Sequence, residues 1–337
     1  MGDAVTIKDV ARRANVSVAT VSRALNGHVN VAEAVRRRVL GIAEELRYSP
    51  HHAARSLSSR RTDTIGVVLP DLHGEFFSEL MRGIDGVARE RGLHLLVSSY
   101  HGHPEEQAVA LRTMRGRVDG LLVMSPYVGN VDYLSDNLLP SLPAVLMNTH
   151  ASAAGCSTLS VDNYGGARTM VRHLVDCGYR RIAFISGPHD NFDAHERLRG
   201  YHDGLGESLP DARPWVIRGD FNEASGHCAG RVLLTASQRP DAVFAANDMM
   251  ALGCLFAFNQ AGVRVPDEIA LAGFDDIPLA YYVHPALTTM RVDIPELGGR
   301  AMRMLLDRVP GAPVATPEPL VTELVVREST RARADSS

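Results

Sequence analysis

The chain of 337 residues is 45% hydrophobic and 22% charged, a composition typical of a soluble globular protein with two or three domains. It has no apolar run of about 18 residues and no apolar segment near its N-terminus, which argues against a membrane span and a secretory signal. Its four cysteines lack CxxC spacing, which argues against a disulfide framework or a zinc site and favours reduced thiols in the cytoplasm.

Charge is distributed unevenly along the chain, whose formal net charge is −4. Residues 1–61 contain eleven Lys and Arg against five Asp and Glu, a net charge of +6, so the remainder carries −10. Because phosphate contacts and counterion release act locally, a basic segment on an acidic body favours a polyanion partner for that segment. A solvated charged face accounts for the same charges equally well.

Two short helices joined by a turn are predicted near the start of the chain. Thr6 followed by Asp9 has the form of a capping box, and apolar residues then recur at helical spacing as far as Asn15. Ser17 is placed to cap a second helix, whose inward face is expected to carry Val18, Val21 and Leu25. With about three residues between the helices, the pair predicts a helix-turn-helix motif.

A third helix and a short segment complete the basic region. Asn30 and Glu33 form another capping pattern, followed by apolar residues on one helical face at Val35, Val39, Ile42 and Leu46. Ser49 and Pro50 are suited to start a further helix, which is too short to be stable in isolation. This segment is therefore either ordered by a partner or an ordinary linker.

From Thr64 onward, short apolar runs alternate with amphipathic segments. The runs are rich in branched aliphatic residues, so we expect strands buried on both faces and joined by crossover helices. This pattern predicts a parallel α/β architecture, with one sheet before Asp162 and another after Arg181. The predicted strands are 65–70, 93–97, 120–124, 144–147, 182–185, 243–246 and 269–273.

Seven motifs follow one another along nearly the whole chain, namely "TIKDVARRANVSVATVSRALNG", "RYSPHHAARSLSSRRTDTIGVVLPD", "RVDGLLVM", "GDFNEASG", "ANDMMALG", "LAGFDD" and "PALTT". In this order they resemble the lactose-repressor (LacI/GalR) family. The resemblance implies an all-α helix-turn-helix DNA-binding domain at 1–49, a hinge helix and linker at 50–62, and an effector-binding core at 63–337.

The same resemblance implies a type I periplasmic-binding-protein fold for the core. Its two parallel α/β subdomains are expected at about 63–162 with 293–320, and at about 163–292 with 321–337. The chain would cross between them near Asp162, Val292 and Leu320. In such folds ligands bind in the cleft at the carboxyl ends of the strands.

Roles in DNA binding are implied for residues of the basic region. Positions facing the major groove are matched by Val18, Ala19 and Arg23. Val18 and Ala19 would recognise DNA shape and thymine methyl groups, and Arg23 would contact a base edge. Ala54 and Leu57 match hinge positions in the minor groove, where the leucines of two subunits kink the duplex. Positions near phosphates are matched by Thr6, Ser17, Thr20, Ser22 and Asn26.

Residues that follow the predicted strands are candidates for an effector site. Phe76 and Phe77 are suited to stack on a flat or sugar-like face, unless one of them belongs to the core. Arg197 matches a position where a guanidinium forks onto effector oxygens, although an isolated arginine more often lies on the surface. Phe221 matches the position of an aromatic platform for the effector, and Asn247 and Asp275 match positions that bind its polar groups. Asp162 and Asp193 are lesser candidates.

Two residues depart from the pattern of purine-binding family members. Asn191 and Asp193 stand where those members have a basic residue and a small hydroxyl residue, which weakens the case for a purine. We expect a repressor that binds palindromic double-stranded operator DNA as a homodimer and is released by a sugar or sugar derivative. A corepressor-dependent regulator that senses a non-sugar molecule is the alternative. The C-terminal segment lacks leucine heptads, so no tetramerising helix is expected.

Other protein classes account for less of the sequence. A sugar-binding transport protein shares the core but would need a signal peptide and no DNA-binding segment. The dinucleotide, P-loop, serine-hydrolase and zinc-protease motifs are absent, so neither an enzymatic activity nor a cofactor is expected. His94, His101 and His103 lack an acid or cysteine at ligand spacing, so no metal is expected. Asp275 and Asp276 are adjacent on an extended segment and point in opposite directions, which argues against a paired acid.

Overall fold

The structure is a computed structural model that describes residues 5–25, 30–48, 61–127, 134, 136–149, 156–308 and 318–333. Its contacts divide the chain into two compact units, Met1–Asp63 and Thr64–Ser337. The predicted hinge helix and three residues assigned to DNA contact, Asn26, Ala54 and Leu57, lie outside the described residues.

The described residues of the first unit form three helices, α1 (Ile7–Ala14), α2 (Val18–Leu25) and α3 (Glu33–Glu45). The predicted capping box is confirmed, since the Asp9 carboxylate accepts hydrogen bonds of 3.0 Å from the Thr6 amide and 2.7 Å from the Thr6 hydroxyl. These bonds lower the pKa of Asp9. At the start of α2, the Ser17 hydroxyl accepts a 3.1 Å hydrogen bond from the Thr20 amide. The caps at the turn therefore form as the sequence predicts.

Two predictions for this unit are wrong. Helix α3 is preceded by Ala32, which offers no side-chain cap, so Asn30 does not begin the helix. Val18 is 42% exposed, because the buried face of α2 is centred between Val21 and Ala24. At about 100° per residue, Val18 lies a quarter turn away from that centre. A small core forms between the helices from Val10, Ala11, Ala14, Val21, Ala24, Val31, Val39 and Ala43.

Two sheets are formed by the residues of the second unit that the structure describes. The first has the order β2-β1-β3-β4-β5, and all of its pairings are parallel. Its strands are β1 (Thr64–Leu69), β2 (His94–Ser99), β3 (Gly120–Met124), β4 (Ala144–Met147) and β5 (Ser157–Leu159). With helices α4 (Glu75–Glu90), α5 (Pro104–Met114) and α11 (Ile294–Leu306), this sheet forms what we call the first lobe.

The second sheet has the order β11-β10-β9-β8-β6-β7 and is parallel except for the pair of β10 with β11. Its strands are β6 (Ile182–Ser186), β7 (Trp215–Arg218), β8 (Ala242–Ala245), β9 (Ala270–Asp275), β10 (Thr288–Arg291) and β11 (Glu323–Val325). It forms the second lobe with α6 (Asn163–Asp176), α7 (Phe192–Ser208), α8 (Glu223–Thr235), α9 (Asp248–Gln260) and α10 (Pro278–Tyr282).

The predicted α/β class with two parallel sheets is confirmed, and all seven predicted runs form strands. The expectation that each is buried on both faces is wrong for β2, which lies at a sheet edge and contains no fully buried residue. The central strands β1, β3, β4, β6, β8 and β9 are almost wholly buried.

The chain passes between the lobes at several points. Val161 pairs with Leu320 in an isolated parallel bridge, so two of these segments run side by side. After β10, helix α11 returns to pack against α4 and the first sheet, and β11 then pairs with β10 in the second sheet. The carboxyl ends of the parallel strands of both lobes therefore face one cleft.

Candidate functional sites

The exposed side of α2 is the first candidate site. Val18, Ala19 and Arg23 are all exposed; Ala19 and Arg23 lie opposite the buried residues of the helix, and Val18 lies at the flank of the same exposed side. The Ser17 and Thr20 hydroxyls lie 2.9 Å apart at the start of the same helix. Apolar and cationic groups thus share one exposed face, a combination suited to the major groove of DNA.

Other residues predicted near phosphates are differently placed. Thr6 donates both its amide and its hydroxyl to Asp9, so its side chain is used in capping α1. Ser22 is half-buried on α2. The side chain of Arg12 is 80% exposed at the end of α1, even though it pairs with Asp9. Exposed positive charge is therefore present on α1 as well as at Arg23 of α2.

A cavity of about 770 Å³, including solvent at its mouth, opens at the carboxyl ends of strands from both lobes. Of the eight predicted effector residues, seven line it, namely Phe76, Phe77, Asp193, Arg197, Phe221, Asn247 and Asp275. The eighth, Asp162, does not line the cavity. Its carboxylate caps α6 by accepting a 2.8 Å hydrogen bond from the Gly165 amide. Asp162 therefore has a structural role at the start of the helix that follows the crossing between the lobes.

Arg197 occupies a fixed position beside this cavity. It projects from α7 and is 5% exposed. Its Nε donates to Asn163 Oδ1 at 2.8 Å, and its Nη1 donates to the Ala246 carbonyl at 2.6 Å. Its Nη2 lies 3.0 Å from Asp275 Oδ1, and the guanidinium carbon is 3.9 Å from the centre of the Phe274 ring. The alternative that Arg197 is a surface residue is excluded by these contacts.

Asp193 is buried next to Arg197 and held by two amides. Its Oδ2 accepts from Asn148 Nδ2 at 2.9 Å, and its Oδ1 accepts from Asn163 Nδ2 at 2.8 Å. Burial raises its pKa from 3.8 to about 6, because desolvation outweighs the opposing effects of Arg197 and the two amides. Asp193 therefore carries a costly charge in a rigid position.

Asp275 completes the buried charge cluster. Burial raises its pKa from 3.8 to about 6, although the neighbouring Arg197 opposes the shift. Its Oδ1 forms an ion pair with Arg197 Nη2 at 3.0 Å, and no second donor among the described groups reaches this oxygen. Two buried carboxylates thus share one guanidinium. Asp276 points elsewhere and pairs with Arg291 at 2.7 Å and Arg327 at 2.6 Å, as expected for adjacent residues.

Strained backbone is found at three cavity residues. Asn148, Phe221 and Asp275 have φ angles of 47°, 71° and 113°, in the left-handed region that side chains other than glycine rarely adopt. Such strain persists where the surrounding structure imposes it, and it concentrates at binding sites. The surrounding structure therefore fixes the backbone at these cavity residues.

The side chains of Asn247, a predicted effector residue, and of Asn191 already have hydrogen-bond partners within the protein. Asn247 Oδ1 accepts from the Met250 amide at 3.0 Å to cap α9, and its Nδ2 donates to the Phe221 carbonyl at 2.9 Å. Asn191 caps α7 in the same way, by accepting from the Ala194 amide at 3.1 Å. Asn247 therefore fixes the position of the Phe221 loop beside the cavity.

Sequence reasoning missed several cavity residues, among them Asp71, His73, Tyr127, Asn148, Asp220 and Met249. Asn148 directly follows the predicted strand at 144–147, so the rule that located Asn247 could have found it. His73 could not be found, because its 3.2 Å contact with Glu223 joins residues that are distant in sequence.

Neither a metal cluster nor a membrane span was found in the part of the chain that the structure describes. No group of three or more His, Cys, Asp and Glu side chains is placed there to hold a metal ion. No helix there has the length and apolar character needed to cross a bilayer.

Together, a helical unit with an exposed recognition face and a two-lobed core, whose cleft holds an open cavity beside buried charged side chains, define a ligand-binding, DNA-binding regulator. Residues 6–51 match the family described as bacterial regulatory proteins, lacI family, and residues 171–330 match the periplasmic binding protein-like domain. The HTH-type transcriptional repressor CytR of Escherichia coli (strain K12) is 36% identical over 335 residues, which cover 98% of this chain and 97% of that protein. The chain belongs to the lacI family.

Solved structures agree with this assignment. The lac repressor dimer bound to operator and the anti-inducer ONPF is similar with a TM-score of 0.87 at 30% sequence identity, covering 97% of this chain and 99% of that one. The complex of the transcriptional regulator CelR with cellobiose is similar with a TM-score of 0.70 at 31% identity, covering 96% and 99%.

Proposed function

We propose that the protein is a cytoplasmic transcriptional repressor without enzymatic activity, which binds a palindromic operator as a homodimer and is released by a sugar or sugar derivative. The observation that carries the proposal is the cavity, in which Phe76, Phe77 and Phe221 lie near the buried cluster of Asp193, Arg197 and Asp275. Aromatic faces beside fixed polar groups suit a ring that bears hydroxyl groups. The relatives described as a repressor and as a cellobiose complex support this function.

The exposed face of α2 supports the DNA-binding part of the proposal. Val18 and Ala19 are suited to contact thymine methyl groups, and Arg23 is suited to contact a guanine edge from the next turn. A dimer of such units would read two half-sites with opposite orientation, which is why the operator is expected to be palindromic. Ala54 and Leu57 would add contacts in the minor groove, as the family resemblance implies.

Contacts across the cleft suggest how a ligand changes operator affinity. Asn148 of the first lobe donates to Asp193 of the second, and the Phe192 amide donates to the Pro126 carbonyl at 2.7 Å. A ligand bound among these residues would favour one arrangement of the two lobes. To shift operator occupancy from about 99:1 to about 1:99, it must prefer one state by roughly 5.5 kcal/mol, which two sites in a dimer supply more readily than one.

The experiment that tests the function has two stages. An operator is first selected from randomised duplex DNA, and its affinity is measured by fluorescence anisotropy. Sugars that raise the melting temperature of the protein are then added to the complex. Release of the operator supports the proposal, tighter binding supports the corepressor alternative, and a bound sugar without effect on affinity contradicts both. Asp275→Asn should bind the operator normally and respond to no sugar.

A further inference from the structure

We propose that the cavity selects an uncharged polyhydroxy ligand and that Asp193 excludes phosphorylated and carboxylated compounds. This inference rests on the proposed function and names the chemical class of its effector. It follows from the charge of the cavity, from the hydrogen-bonding groups left open and from the rigidity of Asp193.

The described walls of the cavity carry an excess of negative charge. Four carboxylates line it, those of Asp71, Asp193, Asp220 and Asp275. Within these walls Arg197 is the only Lys or Arg, and its charge is already shared by Asp193 and Asp275. The His73 side chain faces Glu223, a further acid. An anionic ligand would therefore meet like charges without a free cation to pair with.

The donors in the cavity are largely used by the protein itself. Each of the three nitrogens of Arg197 contacts a protein oxygen, and the amide nitrogens of Asn148 and Asn247 donate to Asp193 and Phe221. A phosphate or carboxylate needs donors of this kind. The cavity offers it few that are not already engaged.

The open groups are acceptors. Asn148 Oδ1 is buried and has no hydrogen-bond partner among the described residues, whereas Asp275 Oδ1 has its ion pair with Arg197 and room for a further donor; both residues line the cavity. Buried acceptors without a partner are costly, so a ligand that donates to them gains affinity. Hydroxyl groups supply such donors, whereas a fully ionised phosphate supplies none.

Asp193 is the residue best placed to enforce the selection. The amides of Asn148 and Asn163 hold both of its oxygens, so the carboxylate cannot turn away from an incoming anion. Its burial leaves the charge poorly screened by solvent. Its raised pKa of about 6 still leaves it mostly ionised at pH 7.5.

The test compares three matched pairs of probes by calorimetry at pH 7.5 on the full-length protein. The pairs are ribose with ribose 5-phosphate, glucose with glucose 6-phosphate, and cellobiose with cellobiose 6-phosphate. We expect at least one neutral sugar to bind about 100-fold more tightly than its phosphorylated partner. If no neutral member of any pair binds more tightly than its partner, the inference is overturned.

Variants separate the role of Asp193 from that of net charge. In Asp193→Ser, the ratio of the affinity for the neutral sugar to that for its phosphorylated partner should fall at least about 10-fold. Asp193→Asn, which keeps the side-chain shape, should lower the same ratio. The control Asp211→Asn removes an equal charge from an exposed turn outside the cavity and should leave the preference unchanged. Circular dichroism and melting curves establish that each variant is folded. An unchanged preference in both folded Asp193 variants overturns the role of this residue.

Operator binding, measured on the same samples, distinguishes the two proposals. A phosphorylated sugar that binds tightly and releases the operator overturns the inference and leaves the proposed function standing. A neutral sugar that binds with the expected preference but leaves operator affinity unchanged supports the inference and contradicts the proposed function.

Discussion

Asn148 and Asp193 belong to different lobes of the core and are joined across the cleft by a 2.9 Å hydrogen bond from Asn148 Nδ2 to Asp193 Oδ2. The remaining oxygen of Asn148 is buried without a partner, at the wall of the cavity. One amide thus contacts the opposite lobe and offers an acceptor to a ligand. We therefore expect the relative position of the lobes to depend on what the cavity holds.

The buried carboxylate of Asp193 should make stability depend on pH. Its folded-state pKa of about 6 exceeds the ordinary value of 3.8, so the folded state binds the proton more tightly than the unfolded state. The resulting contribution, up to about 3 kcal/mol, is present in full below about pH 4 and is lost as the pH rises through about 6. The melting temperature of the wild type minus that of Asp193→Asn should therefore decrease as the pH rises from about 4 to above 6. A difference independent of pH would contradict the argument, and Asp211→Asn serves as the control.

Removal of Arg197 should destabilise the core more at high pH than at low pH. Arg197→Ala leaves Asp193 and Asp275 buried without a cation, a change that costs on the order of 3–5 kcal/mol for a buried pair. Protonation of the two acids below about pH 5 should recover part of the loss, since both pKa values will rise further without the guanidinium. The loss of stability is measured by comparing thermal unfolding of the wild type and of Arg197→Ala at pH 5 and at pH 8. An equal loss at both values would mean that packing on Phe274, rather than charge, dominates.

Two glycines of α4 should respond oppositely to alanine. A Cβ atom on Gly83 would overlap the Pro295 carbonyl of α11, so Gly83→Ala should destabilise the first lobe by about 1–3 kcal/mol or more. Gly86 lies on the same helix with open space around it, so Gly86→Ala should stabilise the protein by up to about 1 kcal/mol. Denaturant unfolding compares the pair. Similar effects of the two substitutions would mean that α4 and α11 are not packed as closely as described.

Arg23 should discriminate between operator and random DNA. If it contacts a guanine edge, Arg23→Ala should weaken operator binding by about 1–3 kcal/mol and change random-sequence binding much less. Arg12→Ala, which removes an exposed charge of α1, is the matched control and should weaken both kinds of binding similarly. Anisotropy titrations at one salt concentration compare them. Equal losses for Arg23→Ala on both DNAs would assign it to phosphate contact.

Replacement of Val18 by glutamine should change the preferred base rather than abolish binding. Val18 is 42% exposed at the N-terminal end of α2, so a longer polar side chain can reach a base edge. Selection from randomised duplexes identifies the preferred sequence. The same consensus for Val18→Gln and the wild type would show that residue 18 does not reach the bases.

The parts of the fold that depend on local pattern were predictable from sequence. The capping box at Thr6 and the dense apolar runs located α1 and seven strands, because these signals lie within a few residues. The short strands β5, β7, β10 and β11 were missed, since each has only three or four residues and lacks a continuous aliphatic run.

Placement near a strand end predicted much of the cavity, but the role of each side chain depended on distant contacts. Asp162 and Asn247 both follow apolar segments, yet the first caps a helix outside the cavity and the second holds the Phe221 loop. The burial of Asp193 depends on packing between lobes that no sequence window contains. Its amide partners, Asn148 and Asn163, lie 45 and 30 residues away.

The central claim is that the cavity controls operator affinity, and it is tested most directly by one titration. Operator bound to the wild type and to Asp275→Asn is followed by anisotropy as the tightest-binding neutral sugar is added. We predict that the wild type releases the operator, whereas Asp275→Asn binds it with the same initial affinity and retains it at the same sugar concentrations. Release from both proteins at the same concentration, or from neither although calorimetry shows the sugar bound to the wild type, would contradict the claim.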